Sequence, residues 1–253
     1  MLSDQEFLRY QRQIMLPELG ENGQRLLLDA KVLIVGCGGL GSAVALQLAG
    51  AGIGKLVLCD DDSVELSNLH RQLSYRESDL GQAKAKALAG QIQRLNPSIS
   101  TRSVNRRMSL DLLNIEVSMA DLVVDCSDNF PTRQDINKAC ISNQTPLVSG
   151  AAIGWDGQVA YFDGQHQSAC YHCLYPFSKS NQATKCSDTG VMGPSVNMIG
   201  SLQSMLAIRA ITEPETLNTG ELMVFNGREM SHQKFAIEKD ESCAVCSEGN
   251  NNE

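Results

Sequence analysis

Within residues 1–150, hydrophobic and polar positions form two kinds of pattern: short apolar runs that are typical of buried strands, and longer stretches that are typical of helices. Four apolar residues in a row, Val32–Val35, indicate a strand that is buried on both faces. The alanine- and leucine-rich stretch Leu40–Gly52 then favours a helix. The same pattern predicts further strands at 55–59, 100–104, 121–125 and 146–149, and helices at 83–95, 110–119 and 132–142. Strands and helices in regular alternation predict an α/β fold with a parallel, doubly wound sheet.

The pattern changes near residue 150. Later stretches alternate polar and apolar residues, which predicts antiparallel strands that extend the sheet, at 158–162, 221–225 and 233–237. A long loop over 165–193 precedes a helix that begins at Pro194, a favoured first helical position. Ahead of the sheet, Ser3–Ile14 and Gln24–Ala30 predict two short helices. We therefore predict a single domain over 1–253, whose parts are N-terminal helices (1–30), a parallel core (31–150), an antiparallel extension (151–246) and a disordered tail (247–253).

Composition and net charge argue against several classes of protein. The net charge of -8 argues against nucleic acid or an anionic membrane as the main partner. No apolar run approaches the roughly 20 residues that cross a bilayer, and residues 1–12 are too polar for a signal peptide. Nine cysteines, an odd number, indicate reduced thiols or metal ligands rather than a disulfide framework. These features together predict a cytoplasmic protein.

A glycine-rich loop after the first strand predicts a nucleotide site. Gly36, Gly38 and Gly41 have the G-x-G-x-x-G spacing, which allows a tight turn, a close approach of pyrophosphate to the backbone, and close helix–strand packing. The next strand ends in Asp60, where a carboxylate can bind ribose hydroxyls. An NAD-dependent enzyme would share these features, so the loop alone leaves the nucleotide open.

Polar residues near two further strand ends are candidates for the same site. Asn68 and Arg71 lie in a polar segment after Asp60 that is predicted to cover the nucleotide. Asp128 and Asn129 follow the strand 121–125, at the sheet edge where open α/β folds bind ligands. Lys84 begins the next helix, although it could equally belong, with Lys86, to the exposed face of that helix.

Two C-x-x-C pairs predict a metal site. Cys170, Cys173, Cys243 and Cys246 supply the four thiolates that a structural Zn²⁺ requires, and His172 is interpreted as a bystander. A redox C-x-x-C is the alternative, but nothing thioredoxin-like surrounds either pair. Cys186 lies in a polar loop and is either a reactive or an incidental thiol. The remaining cysteines considered are interpreted as small hydrophobic residues: Cys37, Cys59, Cys126 and Cys140.

These motifs together resemble one family, the bacterial ThiF/MoeB/HesA adenylyltransferases, which are related to ubiquitin-activating enzymes and have a Rossmann-like fold. The matching segments are R-Y-Q-R-Q-I (9–14), G-C-G-G-L-G (36–41), D-D-D-S-V-E-L-S-N-L-H-R-Q (60–72), D-C-S-D-N-F-P-T-R (125–133), C-Y-H-C-L-Y-P (170–176), G-V-M-G-P (190–194) and C-A-V-C (243–246). Within the family, the D-D-D and D-N-F-P-T-R-Q-D-I-N segments are more similar to ThiF, the thiamine branch, than to MoeB, the molybdopterin branch. The sequence departs from the family pattern at Cys37, where leucine is usual, and at His70, where glutamine is usual.

The resemblance implies an activity. Such enzymes use ATP and Mg²⁺ to adenylylate the C-terminal carboxylate of a small ubiquitin-like sulfur carrier that ends in Gly-Gly. The carrier would serve thiamine (thiazole) biosynthesis or, as the alternative, would be the small subunit of molybdopterin synthase. Two rival classes are an NAD-dependent oxidoreductase, which leaves Arg12 and the four zinc thiols without a role, and a catalytically inactive zinc-clipped binding module.

The resemblance also implies residue roles. Asp60 would hold the ribose, Arg71 and Lys84 the phosphates, and Asp128 the Mg²⁺. Arg12 is similar to an arginine finger that reaches the neighbouring subunit, which implies a homodimer. Cys186 matches the position where ThiF forms a covalent link with its carrier, with a sulfur donor protein as a further partner. The rest of the implied nucleotide-binding set is Gly36, Gly38, Gly39, Gly41, Ser67, Asn68 and Asn129.

Overall fold

The computed structural model describes residues 2–176 and 190–247. Its strands form one sheet in the order β3-β2-β1-β4-β5-β6-β7-β8. The strands are β1 (Lys31–Val35), β2 (Lys55–Cys59), β3 (Ser100–Val104), β4 (Leu122–Asp125), β5 (Leu147–Ile153), β6 (Asp156–Phe162), β7 (Glu221–Asn226) and β8 (Ser231–Ala236). The α-helices are α1 (Asp4–Ile14), α2 (Gly20–Asp29), α3 (Gly39–Ala51), α4 (Lys84–Leu95), α5 (Leu110–Val117), α6 (Phe130–Asn143), α7 (Tyr171–Leu174) and α8 (Gly193–Thr212).

Helices cover the parallel part of the sheet on both faces, which is why its central strands β1, β2 and β4 consist mostly of buried apolar residues. Alternate residues of β1 point to opposite faces, so Val32 and Ile34 pack with α3, α4 and α8, whereas Leu33 and Val35 pack with α5 and α6. All four side chains are buried. The predicted α/β fold with a doubly wound, Rossmann-like sheet is therefore confirmed.

The sheet changes from parallel to antiparallel within β5. Residues Leu147–Ser149 pair in parallel with β4, as predicted, but the strand continues to Ile153 instead of ending at Ser149. The extra residues pair with β6 in an antiparallel hairpin that closes at Ile153 and Asp156. The antiparallel extension through β7 and β8 is confirmed.

The chain order places a crevice at the middle of the sheet. From β1 the chain moves outward to β2 and β3, and it then returns to place β4 on the other side of β1. The helices after β1 and β4 consequently lie on opposite faces, and a crevice opens at the carboxyl ends of these two strands. Open α/β sheets bind their ligands at such a switch point.

The predicted helices are present, with differences at some of their ends. Ser3 caps α1 through a hydrogen bond from the Glu6 amide. However, α2 begins at Gly20, earlier than the predicted Gln24, and the short helix α7 was not predicted. Cys186 and most of the predicted tail lie outside the described residues. Within 2–176 and 190–247, no helix is both long and apolar enough to cross a bilayer. The division of the chain into parts stays a prediction.

Candidate active site

A cleft of about 790 Å³ opens at the carboxyl ends of β1, β2 and β4. Ten of the predicted nucleotide-site residues line it, and Gly41 lies beneath the loop. The ten residues are Gly36, Gly38, Gly39, Asp60, Ser67, Asn68, Arg71, Lys84, Asp128 and Asn129. Residues from four separate segments of the sequence therefore meet at the switch point of the sheet.

The glycine loop is as tight as its spacing predicts. Gly36 has a φ of 92°, a conformation that favours glycine, and a Cβ atom there would lie 2.6 Å from the carbonyl oxygen of Cys126. A Cβ atom on Gly41 would lie 1.8 Å from the carbonyl oxygen of Gly36. Gly38, the N-cap of α3, carries no side chain that could accept from the first helical amides. The helix therefore presents N–H groups and its positive dipole end to the cleft, an arrangement that favours a phosphate.

Asp60 is fixed by hydrogen bonds from the backbone. Its Oδ2 accepts from the Cys37 amide at 2.6 Å and its Oδ1 accepts from the Asp62 amide at 2.8 Å. Burial raises the pKa of Asp60 above its usual value, whereas the hydrogen bond from Cys37 partly opposes that rise. The carboxylate is thus held at the end of β2, where a ribose hydroxyl can donate to it.

Arg71 is held over the cleft by its own short segment. It donates to Asn68 Oδ1 at 3.0 Å, to the Ser67 carbonyl at 3.3 Å, and to His70 Nε2 at 2.9 Å. Because arginine only donates, His70 Nε2 is the acceptor in this bond, and the ring proton lies on Nδ1. The guanidinium is therefore held in place by neutral acceptors, and its charge is available to an anion.

The two lysines of α4 have different environments. Lys84 is buried, and its Nζ lies 2.7 Å from Asp62 Oδ2 at the edge of the cleft. Lys86 lies on the exposed face of the helix. The alternative in which both lysines are exposed is therefore wrong for Lys84.

Acidic residues line the cleft on both sides. Asp128 and Asn129 lie at the start of α6, where Asn129 caps the helix by accepting from the Thr132 amide at 3.0 Å. Across the cleft, carboxylate oxygens of Asp60, Asp61 and Asp62 lie within 4.8 Å of one another. Carboxylate oxygens are the ligands that Mg²⁺ prefers, so this donor chemistry fits the cation that accompanies ATP.

Three arginines in the cleft wall were missed by the sequence analysis. Arg106 and Arg107 follow β3, and the rule that strand ends carry functional residues could have found them. Arg133 of α6 is buried and forms an ion pair with Asp125, with 3.3 Å between Nη1 and Oδ2. No local signal separates such an arginine from one on a solvent-exposed helix face.

Arg12 lies apart from this cleft. It is exposed on α1, and the described residues that line the cleft do not include it. The same helix and the turn after it expose four large apolar side chains, Phe7, Leu8, Met15 and Leu16.

The four predicted zinc ligands come together. Sulfur–sulfur distances are 3.9 Å for Cys170–Cys173, 3.8 Å for Cys170–Cys243 and 3.5 Å for Cys173–Cys246. Four sulfurs at about 2.3 Å from a tetrahedral metal lie about 3.8 Å apart, so the cluster fits Zn²⁺. His172 donates from Nδ1 to Gln134 Oε1 at 2.9 Å and is not part of the cluster.

The other described cysteines are buried away from this cluster, as predicted: Cys37, Cys59, Cys126 and Cys140. Burial raises the pKa of the Cys59 thiol to about 12 and raises the pKa of each of the others. They therefore stay protonated at neutral pH and act as small apolar side chains.

Comparison with known proteins agrees with this geometry. The sequence matches the ThiF family over residues 10–245. It is 40% identical over 249 residues to the sulfur carrier protein ThiS adenylyltransferase of Escherichia coli, covering 98% of each chain. It is 39% identical over 245 residues to the molybdopterin-synthase adenylyltransferase of Salmonella typhimurium, covering 97% of this chain and 98% of the relative.

A solved structure shows the same architecture. Escherichia coli MccB, in its crystal structure with MccA-N7isoASN, superposes with a TM-score of 0.83 at 25% identity. The match covers 94% of this chain and 74% of MccB. The resemblance predicted from the motifs is confirmed: the chain belongs to the ThiF family and is an adenylyltransferase.

Proposed function

We propose that this chain transfers the adenylyl group of ATP to the C-terminal carboxylate of a small ubiquitin-like sulfur carrier that ends in Gly-Gly. The products are the acyl adenylate of the carrier and pyrophosphate. One observation carries the proposal: the cleft brings Asp60, the cations Arg71 and Lys84, and Asp128 around a single glycine loop. That set offers a hydrogen-bond acceptor for a ribose, positive charges for a triphosphate and a carboxylate for a divalent cation.

The chemistry needs charge compensation rather than a base. A C-terminal carboxylate is ionised at neutral pH, so it attacks the α-phosphorus without losing a proton. The difficulty is that an anion approaches a polyanion while pyrophosphate departs, and fixed positive charges lower that barrier. Arg71, held by Asn68, and Lys84, held by Asp62, are positioned before the substrate arrives. Asp128 would hold Mg²⁺, which would supply further neutralisation of the phosphates.

We infer that the carrier belongs to the thiamine branch. The D-D-D segment at 60–62 and the D-N-F-P-T-R-Q-D-I-N segment at 128–137 support this inference. The small subunit of molybdopterin synthase is the second candidate, because the relative named for that reaction is 39% identical over nearly its full length. A sulfur donor protein would act on the adenylated carrier in either pathway.

We also propose that two chains complete each other's sites. Arg12 lies apart from its own cleft, and α1 and the turn after it carry exposed apolar side chains. Such a patch suits a contact between subunits. Arg12 would then reach the phosphates bound by the partner chain, and the cysteine cluster would hold a structural Zn²⁺. Cys186, which lies outside the described residues, would form the covalent link with the carrier.

ATP–pyrophosphate exchange tests the adenylation, with purified Gly-Gly carriers of the two branches supplied in turn. We expect Mg²⁺-dependent exchange that is larger with the thiamine-type carrier. Asp128→Ala should abolish it, and Lys84→Ala should lower it by about 10²–10³-fold, the usual cost of losing one preorganised hydrogen-bond donor to a developing negative charge.

Lys86→Ala is the matched control, because Lys86 lies on the same helix but is exposed. It should exchange at the wild-type rate. Exchange that survives Asp128→Ala at the wild-type rate would contradict the proposed site. Exchange with the molybdopterin-type carrier alone would contradict the thiamine branch.

A further inference from the structure

One face of α6 is polar although it is buried. Arg133, Gln134 and Asn137 are exposed by only 7%, 2% and 1%. Buried polar side chains are costly unless they are hydrogen-bonded, and apolar residues would suffice to pack the helix on the sheet. The partners of these three side chains therefore indicate what the face does.

At its N-terminal end, the face holds the floor of the nucleotide cleft. Arg133 forms the buried ion pair with Asp125 and donates to the carbonyl oxygens of Ser127 and, at 2.9 Å, of Gly150. Asp125 in turn accepts from the Ser127 amide at 3.0 Å and from its hydroxyl at 2.6 Å. Asp128 is the residue after Ser127, which these hydrogen bonds fix, so the position of Asp128 depends on Arg133.

One turn further along, the face holds the cysteine cluster. Asn137 Nδ2 donates to the Cys170 sulfur at 3.4 Å, and Asn137 Oδ1 accepts from the Tyr171 amide at 3.0 Å. Gln134 donates to the Tyr175 carbonyl at 2.6 Å. Arg133 and Asn137 are four residues apart on α6 and therefore lie on the same face, which joins the two ends of the network.

We propose that this polar face of α6 couples the zinc site to the nucleotide cleft, so that each ligand tightens the binding of the other. Arg133 and Asn137 are the positioning residues. A metal held by Cys170 and Cys173 would fix the segment 170–175, which would fix Asn137 through its two hydrogen bonds and hence the start of α6. The inference rests on the proposed function for the identity of the nucleotide.

Thermodynamic linkage makes the proposal measurable without any turnover. If zinc increases nucleotide affinity, the nucleotide must increase zinc affinity by the same factor. Zinc affinity is measured by competition with a chromophoric chelator, with and without saturating α,β-methylene-ATP and Mg²⁺. For the wild type we expect the nucleotide to raise zinc affinity at least about fivefold, the lower end of typical coupling.

Variants of one helix separate this coupling from a general stabilisation of the fold. Asn137→Ala should reduce the factor to about one while both ligands still bind. Lys138→Ala, on the exposed side of α6, should keep the wild-type factor. Arg133→Lys keeps the buried charge but loses the planar array of donors, and it should weaken the coupling from the cleft end.

Three results would overturn the proposal. The first is wild-type zinc affinity that does not respond to the nucleotide. The second is full coupling in Asn137→Ala, because the nucleotide would then act through the stability of the whole chain. The third is full coupling in Arg133→Lys, because the hydrogen bonds of Arg133 at the cleft would then not contribute to the coupling. Direct titration of the zinc-loaded protein with α,β-methylene-ATP is done first, since absence of binding there contradicts the proposed function instead.

Discussion

Gly41→Ala tests whether the nucleotide loop depends on backbone packing. The new Cβ atom would lie 1.8 Å from the Gly36 carbonyl oxygen and 3.3 Å from the Cys126 Cβ atom. Carbon atoms in ordinary contact lie about 3.5 Å or more from their neighbours, so the main chain of the loop and of α3 would have to separate by more than about 1 Å. Side chains can rotate away from such a clash, but a carbonyl in a tight turn cannot.

The magnitude follows from the nature of the obstacle. Overpacking a core that can adjust costs about 1–3 kcal/mol, and here the obstacle is backbone, so we expect at least about 3 kcal/mol. That is a large share of the about 5–15 kcal/mol that stabilises a typical protein. In urea denaturation at fixed zinc, the midpoint should fall by about 1 M or more, given slopes of about 1–3 kcal/mol per M.

Two other glycines provide controls. A Cβ atom on Gly50, in the same helix, would meet no atom of the described residues within 4 Å, so Gly50→Ala should stabilise the protein by about 0.5–1 kcal/mol through helix propensity. At Gly38 the nearest atom to a Cβ is Gln72 Nε2 at 3.6 Å, so the Gly38→Ala protein should unfold at the wild-type midpoint. It should lose ATP affinity, because the added methyl group would keep the pyrophosphate from the backbone. A midpoint for Gly41→Ala equal to that of the wild type would refute the packing argument.

Three further predictions concern charge, assembly and covalent chemistry. Burial raises the pKa of Asp60, so ATP affinity should fall on acidification at a pH above the usual range of aspartate; Asp60→Asn should remove this dependence in binding titrations. The same raised pKa means that the Asp60 carboxylate destabilises the fold as the pH rises through it. Mixed dimers of Arg12→Ala and Asp128→Ala chains should regain some exchange activity, since one of their two sites is complete; no recovery after confirmed subunit exchange would indicate that Arg12 acts within its own chain. Cys186→Ser should keep pyrophosphate exchange and lose any enzyme–carrier species released by a reducing agent; mass spectrometry that still finds this species would argue against Cys186.

Sequence periodicity was sufficient for the parallel half of the fold because its signals are local. The predicted bounds of β2 and β3 match the structure, and the apolar run of β2 is followed directly by the polar segment that begins at Asp60. The end of β5 was wrong because Gly150–Ile153 has no strand pattern of its own. Its conformation is set by pairing with β6, a contact that local sequence does not encode.

The site divides in the same way. The glycine spacing and the polar strand ends located the cleft, because parallel strands bring their carboxyl ends to one edge. The burial of Arg133 depends instead on where α6 begins relative to Asp125, eight residues earlier in the chain. The contacts of Asn137 with the cysteine cluster depend on a segment 33 residues away, so local sequence did not predict them either.

The cysteine cluster also sets an order of events during synthesis. The second cysteine pair begins 70 residues after Cys173, and α8, β7 and β8 lie between them. At about 5–20 residues per second, a ribosome needs about 4–14 s to make that stretch. Cys170 and Cys173 must therefore stay reduced, without the other two cysteines of the cluster, during this time. The parallel strands have already been made and can pair with one another. All four cysteines can come together only after the antiparallel half of the sheet has been made.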